Sequence, residues 1–447
     1  MHNKFKRAID HLTKGTHPEF VLKSLEAVRD LFGEEWLTSN GEHRLQLLWR
    51  RPDHVATSEL YAFGKAILKL SETNQTWLES TAKDIKKNID TSHGLITEII
   101  KIGSLSPGES GGIIKPCPKS YKTYDYRVEF DSGYGYKVSI KNFDISVHEK
   151  EFKKHSTIIR KTFLNMLKGK NRSGRLTIVC EHDTLTKEIT KNICEFIVFN
   201  IDDYNSYLLY EGRIFIRFHP LSEYENESLV NPSDTVLIFA KQHHNEQRNV
   251  EYKIHKANES LFKDSDDDKN IKQLTIRLGA STDFNRMKKY IEKIASDTAR
   301  CGFDLCEIYQ PVLTSNDKVT KISTTINIIS RGEVLEGGSS FLPLNEGQSI
   351  VNKLKNIKPL IYDLGIGSLL FEPIPYSLFV DKNQIAMDLS TYYTYQKGDI
   401  YIRVKKDVSG YYGELNQLAP GILEHSVFGN IKIESIVYPS NDQLLIV

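Results

Sequence analysis

Cysteine is scarce in this 447-residue chain. The five present (Cys117, Cys180, Cys194, Cys301 and Cys306) are an odd number with no CxxC pair, which argues against both a disulfide framework and a zinc site. No apolar run approaches the length of a membrane span, and the opening MHNKFKRAID reads as a charged helix start, not a signal peptide. These absences lead to the expectation of a cytoplasmic protein with no membrane partner. An excess of one charge is missing too. Lys+Arg number 59 and Asp+Glu 58, so net charge alone implies no nucleic-acid partner.

Several familiar motifs are also missing. The Gly-rich stretch GEVLEGGSSFLP lacks both the G-x-G-x-x-G and the P-loop spacing, so nucleotide binding is not supported. The acidic stretch KDSDDDKN (263–270) lacks the central Gly and closing Glu of a calcium loop. HEKEF (148–152) has Phe152 where a zincin needs its second His. No G-x-S-x-G occurs, and no cysteine has a histidine at a convincing spacing. His243 and His244 are adjacent, so on a strand they would point to opposite faces and not share a metal.

What remains is the pattern of a globular protein with two or three domains, 39% hydrophobic and 26% charged. Residues 1–104 carry apolar side chains at three- and four-residue spacing and predict a helical region. SPGESGGIIKPCPKS (106–120) reads as a linker. Residues 105–220 predict a hairpin, a helix, a strand over 175–181, a helix over 184–199 and a strand over 212–220, an order that suits a mixed sheet flanked by helices. Residues 221–447 predict a further α/β region. There DTVLIFAKQHH and NVEYKIHKA are expected as an antiparallel strand pair, and KQLTIRLGA, DFNRMKKYIEKIASDTARCG and KISTTINIIS as strand, helix and strand. Short strands such as DIYIRVKK and NIKIESIVY follow. The expected class is α/β of the mixed α+β kind.

Chemistry concentrates between 124 and 152. YDYRVEF (124–130) and YKVSIK (136–141) are β-formers around the turn residues DSGYG. Alternation puts Asp125, Arg127 and Glu129 on one face of the first strand, and Lys137, Ser139 and Lys141 on one face of the second. Pairing Phe130 with Tyr136 would set Asp125 opposite Lys141. A slip of two residues preserves these faces and a slip of one does not. Next, Ser146 to Glu149 fits a capping box, and Phe152, Ile159, Phe163 and Leu167 form a core-facing helical stripe. Glu151 lies one turn into that helix. From Glu149 to Arg175 nine basic residues face two acids, so Lys150, Lys153, Lys154, Lys170 and Arg172 are the candidate nucleic-acid contacts.

The arrangement of Asp125 followed by Ser139-Ile140-Lys141 resembles the PD-(D/E)XK nuclease superfamily over roughly residues 90–220. The usual second element is Glu-x-Lys. Some type II restriction endonucleases of this superfamily read Ser-x-Lys instead and take the missing acid from the following helix. The resemblance implies a restriction-endonuclease-like core and a Mg²⁺ (or Mn²⁺) dependent endonuclease acting on DNA, with restriction or anti-phage defence as its setting. Asp125 and Glu151 would ligate the metal with the Ile140 carbonyl, and Glu98 on the preceding helix is a further acid. Lys141 would act on the attacking water or the phosphate, and Ser139 stands at the altered motif position. Nine residues separate Lys141 from Glu151, a shorter gap than the resemblance leads one to expect, which leaves Glu149 and Glu151 both open. The rival reading is an inactive nuclease-like fold serving as a nucleic-acid-binding or protein-interaction module. A homo-oligomer or a gating partner protein is compatible with either.

Overall fold

The computed structural model describes residues 5, 7–13, 16–105, 112–117, 123–181, 184–202, 206–210, 213–220, 235–264, 269–279, 281–316 and 319–332. Beyond these it describes the short segments 369–370, 377–380, 385–388, 392–397, 401–404, 412–419, 422–428, 433–439 and 444–447. Helices and mixed sheets alternate in an α/β mixed fold. Among the described residues no helix is long and apolar enough to cross a membrane. The Gly-rich stretch from 333 onward and the acids at 266–268 lie outside the described residues.

The N-terminal region is helical: α1 (Asp10–Thr13), α2 (Pro18–Phe32), α3 (Glu34–Thr38), α4 (Arg44–Arg50), α5 (His54–Thr73), α6 (Gln75–Lys87) and α7 (Ser92–Ser104). In α2 the buried positions Val21, Leu25, Val28 and Phe32 fall at three- and four-residue spacing, one stripe against α5. α5 begins at Asp53, whose side chain accepts the Ala56 N–H at 2.9 Å. It is buried on most sides, and at Gly64 it passes so close to α2 that a Cβ would lie 1.9 Å from the Ser24 carbonyl oxygen.

The chain continues through β1 (Ile113–Pro116), β2 (Tyr126–Glu129), β3 (Gly135–Phe143), α8 (Val147–Gly169), β4 (Gly174–Cys180), α9 (Lys187–Asn200), β5 (Ser206–Leu209), β6 (Ile214–Pro220), β7 (Thr235–Lys241), α10 (Glu246–Phe262), β8 (Asn270–Leu278), α11 (Phe284–Ser296), β9 (Leu305–Asn316) and β10 (Val319–Ser330). Short strands follow: β11 (Leu369–Leu370), β12 (Ser377–Val380), β13 (Ile385–Asp388), β14 (Tyr392–Lys397), β15 (Tyr401–Val404), β16 (Tyr412–Ala419), β17 (Ile422–Phe428) and β18 (Ile433–Pro439).

The first sheet has the order β1-β2-β3-β8-β9-β10-β11. Its β1–β2–β3 edge is antiparallel, whereas β3–β8 and β8–β9 are parallel. Tyr126, Val128, Tyr136, Val138 and Ile140 face the N-terminal helices. Phe143, Leu274, Ile276 and Leu278 face the other way, onto α10 and α11 through Ile254, Leu261, Met287 and Ile291. The sheet is therefore covered on both sides, which is why β8 reads as a nearly continuous buried run. A second sheet, β14-β7-β4-β6-β5, carries α8 and α9 through Phe152, Ile159, Phe163, Leu167, Ile193 and Ile197. β15 to β18 form a four-stranded antiparallel sheet.

Three expectations are corrected. NVEYKIHKA lies inside α10, where Val250, Ile254, Ala257 and Leu261 make a helical stripe that overrides its strand-like composition. The expected linker contains β1, which pairs with β2. The boundary expected at residue 220 falls between β6 and β7, both of which flank β4, while β8 from beyond that boundary pairs with β3.

Candidate active site

β2 and β3 pair with Tyr126 opposite Val138 and Arg127 opposite Lys137, two residues displaced from the Phe130–Tyr136 pairing. The turn explains the shift. Phe130 N–H donates to the Tyr134 carbonyl at 3.0 Å, Gly133 adopts φ 75°, and Gly135 opposes Glu129 so closely that a Cβ would lie 2.1 Å from the Val128 oxygen. A slip of two keeps the side-chain faces, so Asp125 still emerges beside Ser139 and Lys141.

Asp125 directly precedes β2. Its N–H donates to the Val138 carbonyl at 2.8 Å, and its carbonyl accepts the Cys117 N–H at 2.8 Å. Its carboxylate accepts the Ile140 N–H, so the main chain of β3 holds it at the Ser139-Ile140-Lys141 step. Burial pushes the Asp125 carboxyl upward, while Lys141 and the Ile140 amide pull it down.

α7 supplies the second acid. Glu98 is half-buried beside Asp125 and Lys141. Burial first, and the neighbouring Asp125 second, push its carboxyl up to about 8, with Lys141 opposing. Three elements thus bring two carboxyls and one lysine together. Glu98, raised by burial and by Asp125, holds a proton that a bound cation would replace. The donor set suits Mg²⁺ or Mn²⁺: oxygen ligands, with one or two carboxylates sufficient.

Ser139 is buried within β3 opposite Leu274, and the Ile140 side chain packs in the core below the helices. Glu151 is exposed on α8, and no hydrogen bond or ion pair joins it to Asp125 or Lys141 among the described residues. The reason is structural: α8 lays its apolar stripe on the second sheet, not on the sheet that holds Asp125. Glu149 is committed elsewhere. Ser146 caps its N–H at 2.9 Å as expected. Its carboxylate, however, accepts the Ser281 hydroxyl at 2.7 Å and pairs with Lys153 at 2.9 Å instead of returning to the cap.

The basic residues are also distributed differently from a free cationic track. Lys170 and Arg172 both pair with Asp202, the latter at 2.8 Å, and Lys150 lies 4.0 Å from Asp90. Lys154 is exposed. His243 and His244 follow β7 instead of lying within it, with their rings 4.3 Å apart. His243 also stacks on His148 at 3.7 Å, an arrangement that turns ring faces toward each other. Among the described residues no group of three His, Cys, Asp or Glu converges for a metal.

Sequence reasoning placed Arg127 on the face of Asp125 but missed Cys117, whose N–H donates to the Asp125 carbonyl. Burial pushes the Cys117 thiol up, and Arg127 lowers it. The pairing of β1 with β2 is what brings Cys117 there. No family model, curated protein or solved structure matches this chain.

Proposed function

We propose that this chain is a divalent-metal-dependent nuclease acting on DNA, with Asp125, Glu98 and Lys141 as its centre. The observation that carries the reading is the meeting of Glu98 from α7 with Lys141 and with Asp125 at the start of β2, whose carboxylate accepts the Ile140 N–H. Metal-assisted phosphodiester hydrolysis uses this combination: acids to hold a divalent cation, and a cation of the protein's own near the phosphate. When bound, the metal would polarise the phosphate and lower the pKa of a bound water. Asp125, oriented by the Ile140 N–H, and Glu98, once deprotonated, would hold the metal, and Lys141 would offset charge growing on the phosphate oxygens. In this reading Glu98, not Glu151, supplies the acid that Ser139 lacks. Restriction or defence against foreign DNA remains the setting that the resemblance implies.

The rival reading, an inactive binding module, draws on the same cluster. Ser139 is buried and, among the described residues, no group of three His, Cys, Asp or Glu converges for a metal, so an electrostatically coupled surface cluster alone would account for it. The deciding experiment is cleavage of plasmid and linear DNA with Mg²⁺ or Mn²⁺, comparing the native chain with Lys141→Ala and Glu98→Gln. Metal-dependent cutting that both substitutions abolish supports the nuclease. DNA binding with no metal uptake at millimolar Mn²⁺ supports the module.

A further inference from the structure

Residues 444–447, Leu-Leu-Ile-Val, lie between the N-terminal helices and the first sheet in a site built to hold main chain. Glu59 of α5 is fully buried, and its carboxylate accepts three successive N–H groups: Leu445 at 3.0 Å, Ile446 at 2.7 Å and Val447 at 3.0 Å. Two arginines take the carbonyls. Arg44 of α4 donates to Leu445 O at 2.9 Å, and Arg277 of β8 donates to Val447 O. A buried carboxylate is costly unless it is well hydrogen-bonded, and here the segment itself supplies the donors. Both Ile446 and Val447 are buried, and with Thr97, Ile100 and Lys101 of α7, Arg277 and Tyr309 they form the walls of one small cavity. Lys101 in turn pairs with Glu307 of β9 at 2.5 Å.

α7 therefore carries two functions on neighbouring positions. Thr97, Ile100 and Lys101 line a small cavity jointly with Ile446 and Val447 of the segment, and Glu98 sits at the acidic centre. We infer that residues 444–447 form an intramolecular strap that clamps α4, α5 and α7 onto the first sheet, and that releasing it loosens α7 and uncouples Glu98 from Asp125 and Lys141. The strap stands independently of the nuclease reading, and only its effect on the centre rests on that reading.

The test is hydrogen exchange of the full chain, native against Ile446→Pro, which deletes the shortest N–H contact to Glu59. Amides of α7 should exchange at least about ten-fold faster, while those of α8 and α9 on the second sheet stay unchanged. Adding the synthetic peptide NDQLLIV should restore protection. Native-like exchange of α7 in the variant overturns the strap. If the proline variant loses cooperative unfolding, Glu59→Gln is read by the same criterion. Mn²⁺ affinity of the same proteins, measured by electron paramagnetic resonance, tests the coupling. Weaker binding in the loosened variant supports it, and unchanged binding overturns it. A native chain that takes up no Mn²⁺ overturns the nuclease reading and the coupling together, while exchange in α7 still judges the strap.

Discussion

Glu98 should make the stability of this protein fall as pH rises, with a sign opposite to that of an ordinary salt-bridged carboxylate. Its folded-state value is raised from 4.5 to about 8, because burial and Asp125 both disfavour the charged form. The folded state then keeps a proton that the unfolded chain has already released. The favourable contribution is fully present below pH 4.5 and is lost as pH rises toward 8. Linkage sets the limiting slope at about 1.4 kcal/mol per pH unit. Between about pH 5.5 and 7.5 that is about 3 kcal/mol, reduced to about 1–3 kcal/mol by solvent at the half-buried carboxyl.

Calorimetric unfolding of the native chain and Glu98→Gln across pH 5–9 isolates the contribution of Glu98 and its coupling to Asp125, since groups remote from the cluster cancel in the difference. The variant should gain on the native chain as pH rises and level off above about pH 8. Asp125→Asn should reduce the effect in part, by removing the neighbouring charge but not the burial. Mn²⁺ should replace the proton: at a concentration about 100 times its Kd it would contribute about 2.7 kcal/mol. Its affinity should rise up to about ten-fold per pH unit until Glu98 is ionised. Parallel pH profiles for the native chain and Glu98→Gln would refute the reasoning, because they would mean that Glu98 titrates alike in the folded and unfolded chain.

Other outcomes follow from named contacts. Glu151→Gln, exposed on α8, should change stability by less than about 0.5 kcal/mol and leave Mn²⁺ affinity within about two-fold. A loss of about ten-fold by titration would return the second acid to α8. Gly64→Ala places a methyl 1.9 Å from the Ser24 oxygen and should cost about 1–3 kcal/mol or more in thermal unfolding. Native-like unfolding would show that α2 and α5 separate freely. Lys101→Met leaves the buried Glu307 without its ion-pair partner and should cost about 3–5 kcal/mol. Lys101→Met combined with Glu307→Leu should recover most of that loss, and a double variant no better than the single one would show that the pair itself contributes net stability.

Legibility in the sequence tracked how local each signal was. The α8 stripe Phe152, Ile159, Phe163 and Leu167 was readable because period and burial agree along one helix. The faces of β2 and β3 were readable because alternation survives a two-residue slip, although the register itself waited on the Gly135 approach to Val128. α10 was misread because residues 249–257 hold a β-branched and aromatic composition inside a longer helical period. What no local pattern contained was the route of the chain after β3. It leaves through α8, builds a second sheet, and returns only at β8 to lie parallel to β3. A parallel neighbour demands such a crossover.

That route also governs which acid stands beside Asp125. Counting forward from Lys141 leads to Glu151, yet α8 is drawn toward β4, β6 and β7 by its own apolar stripe and leaves its exposed glutamate outside the cluster. Counting backward leads to Glu98, whose helix is held against β3 by Ile96, Ile99, Ile100 and Ile102 in the same core as Val138 and Ile140. The acid that packing delivers is thus the one upstream of the hairpin. A motif is read along the chain, but the site is assembled by whichever helix the core keeps against the sheet.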